Sequence, residues 1–148
     1  MAKKKRFIFL SDAFYRAYPS SQYPEMEQKQ NRPYIQVCVE IDGVQYAIPL
    51  RSEINHPHVF WTDKENHCGV DFSKAVVIKD ESYIDMTKDP HLRQKEFDAL
   101  RGKDYRIRIK MEKYIASYKK AKQDMNNAVN QKLVKYSTLQ YFEKEIGL

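Results

Sequence analysis

Glycine is scarce in this chain, four in 148 residues and never clustered. That excludes the Gly-rich loops that cradle phosphates or dinucleotides. Cysteine is scarcer: Cys38 and Cys68 could close at most one bridge. A disulfide scaffold is therefore excluded, and both are expected to be ordinary reduced thiols. No apolar run approaches the roughly 18 residues that a membrane-spanning helix needs. The opening "MAKKKRFIFLSD" has a basic cluster but only a very short apolar stretch. A signal peptide needs a longer one and a small-residue cleavage site, so a cytoplasmic protein is expected.

What is present is aromatic and basic. Hydrophobic residues make up 42% and aromatics 13%, including eleven tyrosines, too rich for a disordered chain. The length suits one domain, 1–148, able to bury roughly two-thirds of its unfolded surface. The net charge of +6 favours a polyanionic partner through steering and counterion release, although basic proteins without such a partner are common.

Periodicity turns from two to 3.6 along the chain. "RFIFLS" reads as a strand, and "SDAFYRAY" as a short helix capped by Ser11 or Asp12. Pro19 to Pro33 is a polar loop of about fifteen residues, long enough in a compact domain to suggest a function. "YIQVCVEI" and "VQYAIPL" alternate about the turn signal Asp42-Gly43 and predict a hairpin. "HVFWT" and "VDFSKAVVI" predict two further strands, Lys64 to Gly69 a turn, and "SYIDM" a brief pairing. A helix is expected from Asp89-Pro90 to about Gly102. A second runs from Asp104 to about Asn126, its inner face Ile107, Met111, Tyr114, Ile115, Tyr118, Ala121 and Met125. A terminal helix is expected from about Ser137, with Leu139, Phe142 and Ile146 inward. Strands first and helices after imply an α+β fold, a small antiparallel sheet with helices on one side. No repeat, low-complexity tract or linker divides it.

The densest chemistry is in "YAIPLRSEINHPHVFW", where Arg51, Ser52, His56 and His58 follow a strand. A metal site built from His56-x-His58 and His67-Cys68 is disfavoured: the spacing matches no common zinc pattern, and Pro57 constrains the loop. Metal-free phosphate chemistry fits better. Arg51 is a fixed-charge fork for phosphate oxygens, Ser52 a hydrogen-bond donor, and His56 can move a proton near neutral pH. An RNA substrate supplies its own nucleophile, the 2′-hydroxyl. The protein then only holds it in line, helps its proton leave, and stabilises charge on the phosphate. The competing reading is structural: His56 caps a turn, Arg51 pairs with Glu53, and Ser52 satisfies a backbone group.

Three stretches, "FIFLSDAFYRAY", "KQNRPYIQVCVEIDGVQYAIPLRS" and "GVDFSKAVVI", resemble the toxins of type III toxin–antitoxin systems. These are the ToxN, CptN, TenpN and AbiQ endoribonucleases, and the likeness is greatest to the CptN or TenpN branch. It covers about the first 80 residues. The resemblance implies a compact barrel-like sheet similar to that of the Kid and MazF toxins, with helices around it. It implies an endoribonuclease toxin working without cofactor or metal, leaving 2′,3′-cyclic phosphate and 5′-hydroxyl ends. Its partners would be messenger RNA and pseudoknot-like repeats of a small antitoxin RNA, which it processes and which then inhibit it. An RNA-mediated hetero-oligomer and a role in phage defence by abortive infection would follow, with no membrane partner.

Residue by residue, Arg51 stands where the ToxN branch has Thr, and Ser52 where it has Ser. Ile54 falls where that branch has a Lys, so charge stabilisation passes to Arg51 and proton transfer to His56. Arg32, with Lys29 close by, is nearest to a groove lysine. Phe14 or Tyr15 aligns with a first-segment aromatic, and only Tyr15 has a hydroxyl. Lys74 ends the "DFSK" match. The RNA contacts expected are thus Tyr15, Lys29, Arg32, His58 and Lys74, with the Pro19 to Pro33 loop as one groove wall. The basic face of the long helix, Arg106 to Lys122, is either a solvated surface or a docking stripe for folded RNA. A non-catalytic RNA- or ribosome-binding module would use the same charge and aromatics.

Overall fold

The computed structural model describes residues 5–26 and 33–148. Six strands form one antiparallel sheet: β1 (Phe7–Ile8), β2 (Gln36–Ile41), β3 (Val44–Arg51), β4 (Val59–Asp63), β5 (Cys68–Asp71) and β6 (Val76–Val77). The helices are α1 (Asp12–Ala17), α2 (Gln94–Leu100), α3 (Asp104–Gln123) and α4 (Ala128–Tyr136). The α+β reading holds, with helices packed on an antiparallel sheet.

The predicted hairpin is β2–β3, with Ile41 opposite Val44. Asp42 and Gly43 both take positive φ, 52° and 77°, as a two-residue hairpin turn matching strand twist requires. β3 is the organising strand. Along one edge it pairs with β2; along the other it pairs first with β6, through Tyr46 and Ala47, and then with β5, through Leu50 and Arg51. The strand order β1-β2-β3-β5-β4 is an open path.

"VDFSKAVVI" is not one strand. A 3₁₀ turn at Phe72–Lys74 separates β5 from β6. Its cause is local: the Asp71 carboxylate accepts the Ser73 N–H at 2.9 Å, offering the backbone a partner other than the ladder. Thr138 at the C-terminal end clamps this turn, its hydroxyl donating to the Ser73 carbonyl at 3.2 Å and to the Ala75 carbonyl.

Gly69 in β5 has no alternative residue without movement. A Cβ there would lie 2.5 Å from the Phe60 carbonyl oxygen and 2.6 Å from Val59 Cγ1 on β4. The close approach seats β4 against β5 and fixes where the preceding loop joins the sheet.

α1 is capped by Ser11, as one of the two expected candidates. α2 begins four residues beyond Pro90, at Gln94, where Glu96 Oε1 accepts the Arg93 N–H at 3.2 Å. α3 buries Ile107, Met111, Tyr114, Ile115, Tyr118 and Ala121 against β2 and α4, but Met125 lies beyond the helix end and is 38% exposed. The expected terminal helix is a 3₁₀ turn at Thr138–Tyr141, although Leu139, Phe142 and Ile146 are buried as predicted. The helix before it, α4, is capped by the Asn127 side chain, which accepts the Asn130 N–H, and buries only Val134. No helix among the described residues is long and apolar enough to cross a membrane.

Candidate active site

β3 ends at Arg51. Two residues on, Glu53 takes φ 57°, in the left-handed region, and the chain turns out of the sheet. Buried Ile54 then anchors the loop: its N–H donates to the His67 carbonyl at 3.0 Å, and its own carbonyl lies 3.1 Å from His67 Nδ1. The segment carrying His56 and His58 is thus tied to the turn between β4 and β5.

Asp71, at the end of β5, is fully buried. Its Oδ2 accepts Arg51 Nη1 at 2.6 Å. Its Oδ1 accepts the Ser73 hydroxyl at 2.6 Å and the Ser73 N–H at 2.9 Å, and lies 3.1 Å from His56 Nε2. Burial alone would raise this carboxyl's pKa; the hydrogen bonds from His56, Ser73 and Arg51 outweigh it and hold the pKa below the usual carboxylate value. One buried carboxylate therefore gathers donors from the β3 exit, the following loop and the 3₁₀ turn.

The direction of each bond fixes the His56 tautomer. The His58 N–H donates to His56 Nδ1 at 3.1 Å, so Nδ1 keeps its lone pair and the neutral ring carries its proton on Nε2. Nε2–H then points to Asp71 Oδ1 and to Ser73 Oγ, 3.1 Å away. Both His56 nitrogens are committed inside the protein.

His58 differs. Its ring stacks on His56 with centroids 5.5 Å apart and meets Tyr114 of α3 at 5.3 Å. Neither of its ring nitrogens has a hydrogen-bond partner among the described residues. Burial, and secondarily His56, lower its pKa from the ordinary value, against a smaller opposing pull from Asp71. Neutral at physiological pH and with a free nitrogen, this imidazole can accept a proton.

The other expected site residues divide. Arg51 is within the cluster, with its guanidinium 5.8 Å from the Tyr34 ring centroid. Ser52 follows it and is exposed; the hydroxyl within hydrogen-bond distance of the His56 ring belongs to Ser73. Lys74 is committed elsewhere: Nζ donates to Glu25 Oε2 at 2.8 Å and to the Tyr136 carbonyl at 3.2 Å. Tyr15 packs edge-on against Phe14, and burial, then Tyr34 and Asp12, push its hydroxyl up to about 12. Lys29 and Arg32 lie outside the described residues. Among the described residues, no group of three or more His, Cys, Asp or Glu is arranged to hold a metal ion.

Asp71, Ser73, Tyr34 and Tyr114 belong to the site and were not expected there. A signal for the first two existed: Asp-x-Ser is a turn-capping pattern, and it sits inside a stretch that otherwise reads as a strand.

No family model matches the chain, and no curated protein and no solved structure shows significant similarity to it.

Proposed function

We propose that this protein is a metal-independent endoribonuclease toxin of the type III toxin–antitoxin kind. The observation that carries the proposal is the pair of stacked imidazoles beside Arg51, one locked by a buried carboxylate and the other with a nitrogen available. In the proposed reaction the substrate's 2′-hydroxyl attacks the adjacent phosphorus. Its proton passes to His58, the 5′-oxygen leaves and takes a proton from water, and the products are a 2′,3′-cyclic phosphate and a 5′-hydroxyl. Arg51 supplies positive charge to the five-coordinate phosphate, and Ser52 donates to a non-bridging oxygen. His56, given the proton-transfer role on sequence grounds, becomes a positioning residue that orients His58 through Nδ1 and holds Asp71 through Nε2.

The sheet is, in this proposal, the curled barrel-like core expected of such toxins. The protein acts in the cytoplasm on messenger RNA, processes its repetitive antitoxin RNA, and is silenced by it in an RNA-mediated assembly. The test is cleavage of single-stranded RNA by purified protein in EDTA, with end-group analysis. Cyclic phosphate ends are expected; loss of all cleavage on chelation overturns the metal-free mechanism.

A second reading, a non-catalytic RNA- or ribosome-binding module, is favoured by one observation: Asp71 and His56 spend their hydrogen bonds on the protein itself. If the His58→Ala variant binds RNA and inhibits growth as wild type does, the binding module gains and the nuclease reading falls.

A further inference from the structure

Beyond the imidazole pair, on the α3 side, lies a cavity of about 190 Å³ lined by Pro57, His58, Phe72, Lys110, Lys113 and Ser117. Its chemistry is one-sided. Lys110 and Lys113 are exposed and have no carboxylate partner among the described residues, whereas Arg108 and Lys122 on the same helix pair with Glu112 and Glu143. Ser117 is exposed, four residues beyond Lys113 and on the same face. The wall opposite the lysines is the half-buried His58 ring. No acidic side chain lines the cavity. Two ammonium groups without a carboxylate partner among the described residues, a hydroxyl and an imidazole around one hollow have the chemistry that suits an oxyanion.

The positive line does not stop at the cavity. Arg106 and Lys120 continue the same helix face on either side at spacings of four and seven residues, and both are exposed and without an acidic partner among the described residues. A lone small anion needs only the hollow; a chain of phosphates uses the whole line.

We propose that the cavity between His58 and α3 is a phosphodiester seat for a single-stranded nucleic acid, with Lys110 and Lys113 holding the phosphate oxygens. This rests on the ribonuclease reading for its orientation: the phosphate is placed against His58, so α3 completes the site rather than serving only as a remote docking face.

The experiment uses the full chain and two probes, inorganic phosphate and a short 2′-deoxy oligonucleotide that lacks the attacking hydroxyl. Amide and imidazole NMR signals are followed in wild type, in Lys110→Ala/Lys113→Ala, and in a charge-matched control, Lys64→Ala/Lys132→Ala. All four lysines are exposed, so folding is not at stake. Saturable shifts at His58, Val59 and Ser117 are expected with the oligonucleotide. The double variant should bind it about ten-fold more weakly at physiological salt. Its log–log salt slope should fall by about 0.7 for each phosphate no longer neutralised. The control should behave as wild type. A stronger response to the oligonucleotide than to phosphate supports a strand as the occupant; saturation by phosphate alone with no oligonucleotide binding overturns it. Equally weakened binding in the two variants also overturns it. If RNA is cleaved and the double variant cleaves it as fast as wild type, the seat is wrong and the ribonuclease reading stands. If the oligonucleotide binds with the stated lysine dependence and no RNA is cleaved, the ribonuclease reading falls and the seat stands.

Discussion

The Arg51 guanidinium and the Asp71 carboxylate meet at 2.6 Å, with the carboxylate fully buried and the Arg51 side chain 20% exposed. They join the end of β3 to the end of β5, where Arg51 already pairs with Gly69 in the ladder. The ion pair thus ties the β3 exit, from which the loop bearing His56 and His58 leaves, to the Asp71 position opposite Val59, where that loop enters β4. Removing one partner leaves the other charge buried. Asp71→Ala should cost about 3–5 kcal/mol of unfolding free energy. In a double-mutant cycle with Arg51→Met, the combined destabilisation should be smaller than the sum of the two. Additive effects in urea denaturation would show that the pair is not coupled.

The low Asp71 pKa also makes stability depend on acidity. A carboxyl whose folded pKa lies below its unfolded value, about 3.9, stabilises the fold above that value. The contribution is lost as pH falls through the folded pKa, because the unfolded chain then binds the proton more readily. Wild type should therefore lose denaturant midpoint between roughly pH 5 and pH 2 more steeply than Asp71→Asn, compared by urea titration at each pH. Parallel curves would exclude Asp71 as the source.

His56 and His58 should separate in their effects. His58→Ala removes an imidazole that makes no side-chain hydrogen bond among the described residues, so stability should change by less than about 1 kcal/mol. Cleavage should fall about 10²–10⁴-fold. His56→Ala breaks the contacts with Asp71, Ser73 and the His58 N–H, so stability and cleavage should fall together. Equal destabilisation in thermal melts would contradict this division.

Cleavage should follow the titration of His58, with activity requiring its neutral form. Its pKa lies below the ordinary 6.5, set by burial first, with His56, Asp71, Tyr114 and the cavity lysines 110 and 113 facing it. The rate should rise with pH and level off by about pH 7. His58→Gln should abolish that limb; an unchanged profile in the variant assigns the base elsewhere.

Gly69→Ala tests the seating of β4 on β5. The new methyl meets a backbone carbonyl, which cannot swing aside, so a destabilisation of about 1–3 kcal/mol is expected. A neutral substitution, measured by denaturant unfolding, would mean that the strands shift freely.

Sequence alone determined the parts whose information is local. The Asp42-Gly43 turn, the alternation of β2 and β3, and the inner face of α3 follow from side-chain period and turn chemistry, which act within a few residues. It also brought attention to Arg51 and the two histidines, because polar groups crowded after an apolar strand stand out in one dimension. Tertiary structure decided what those groups do. Asp71 lies 20 positions from Arg51 and Ser73 lies 17 from His56, and the pairing of β5 with β3 and with β4 brings them together. A buried carboxylate draws donors from wherever the fold delivers them. The structural reading of His56 as a turn cap anticipated its Nδ1 contact, but no residue pattern indicated that Asp71 would hold its other nitrogen, or that the His58 ring, against Tyr114 of a distant helix, would make no hydrogen bond among the described residues.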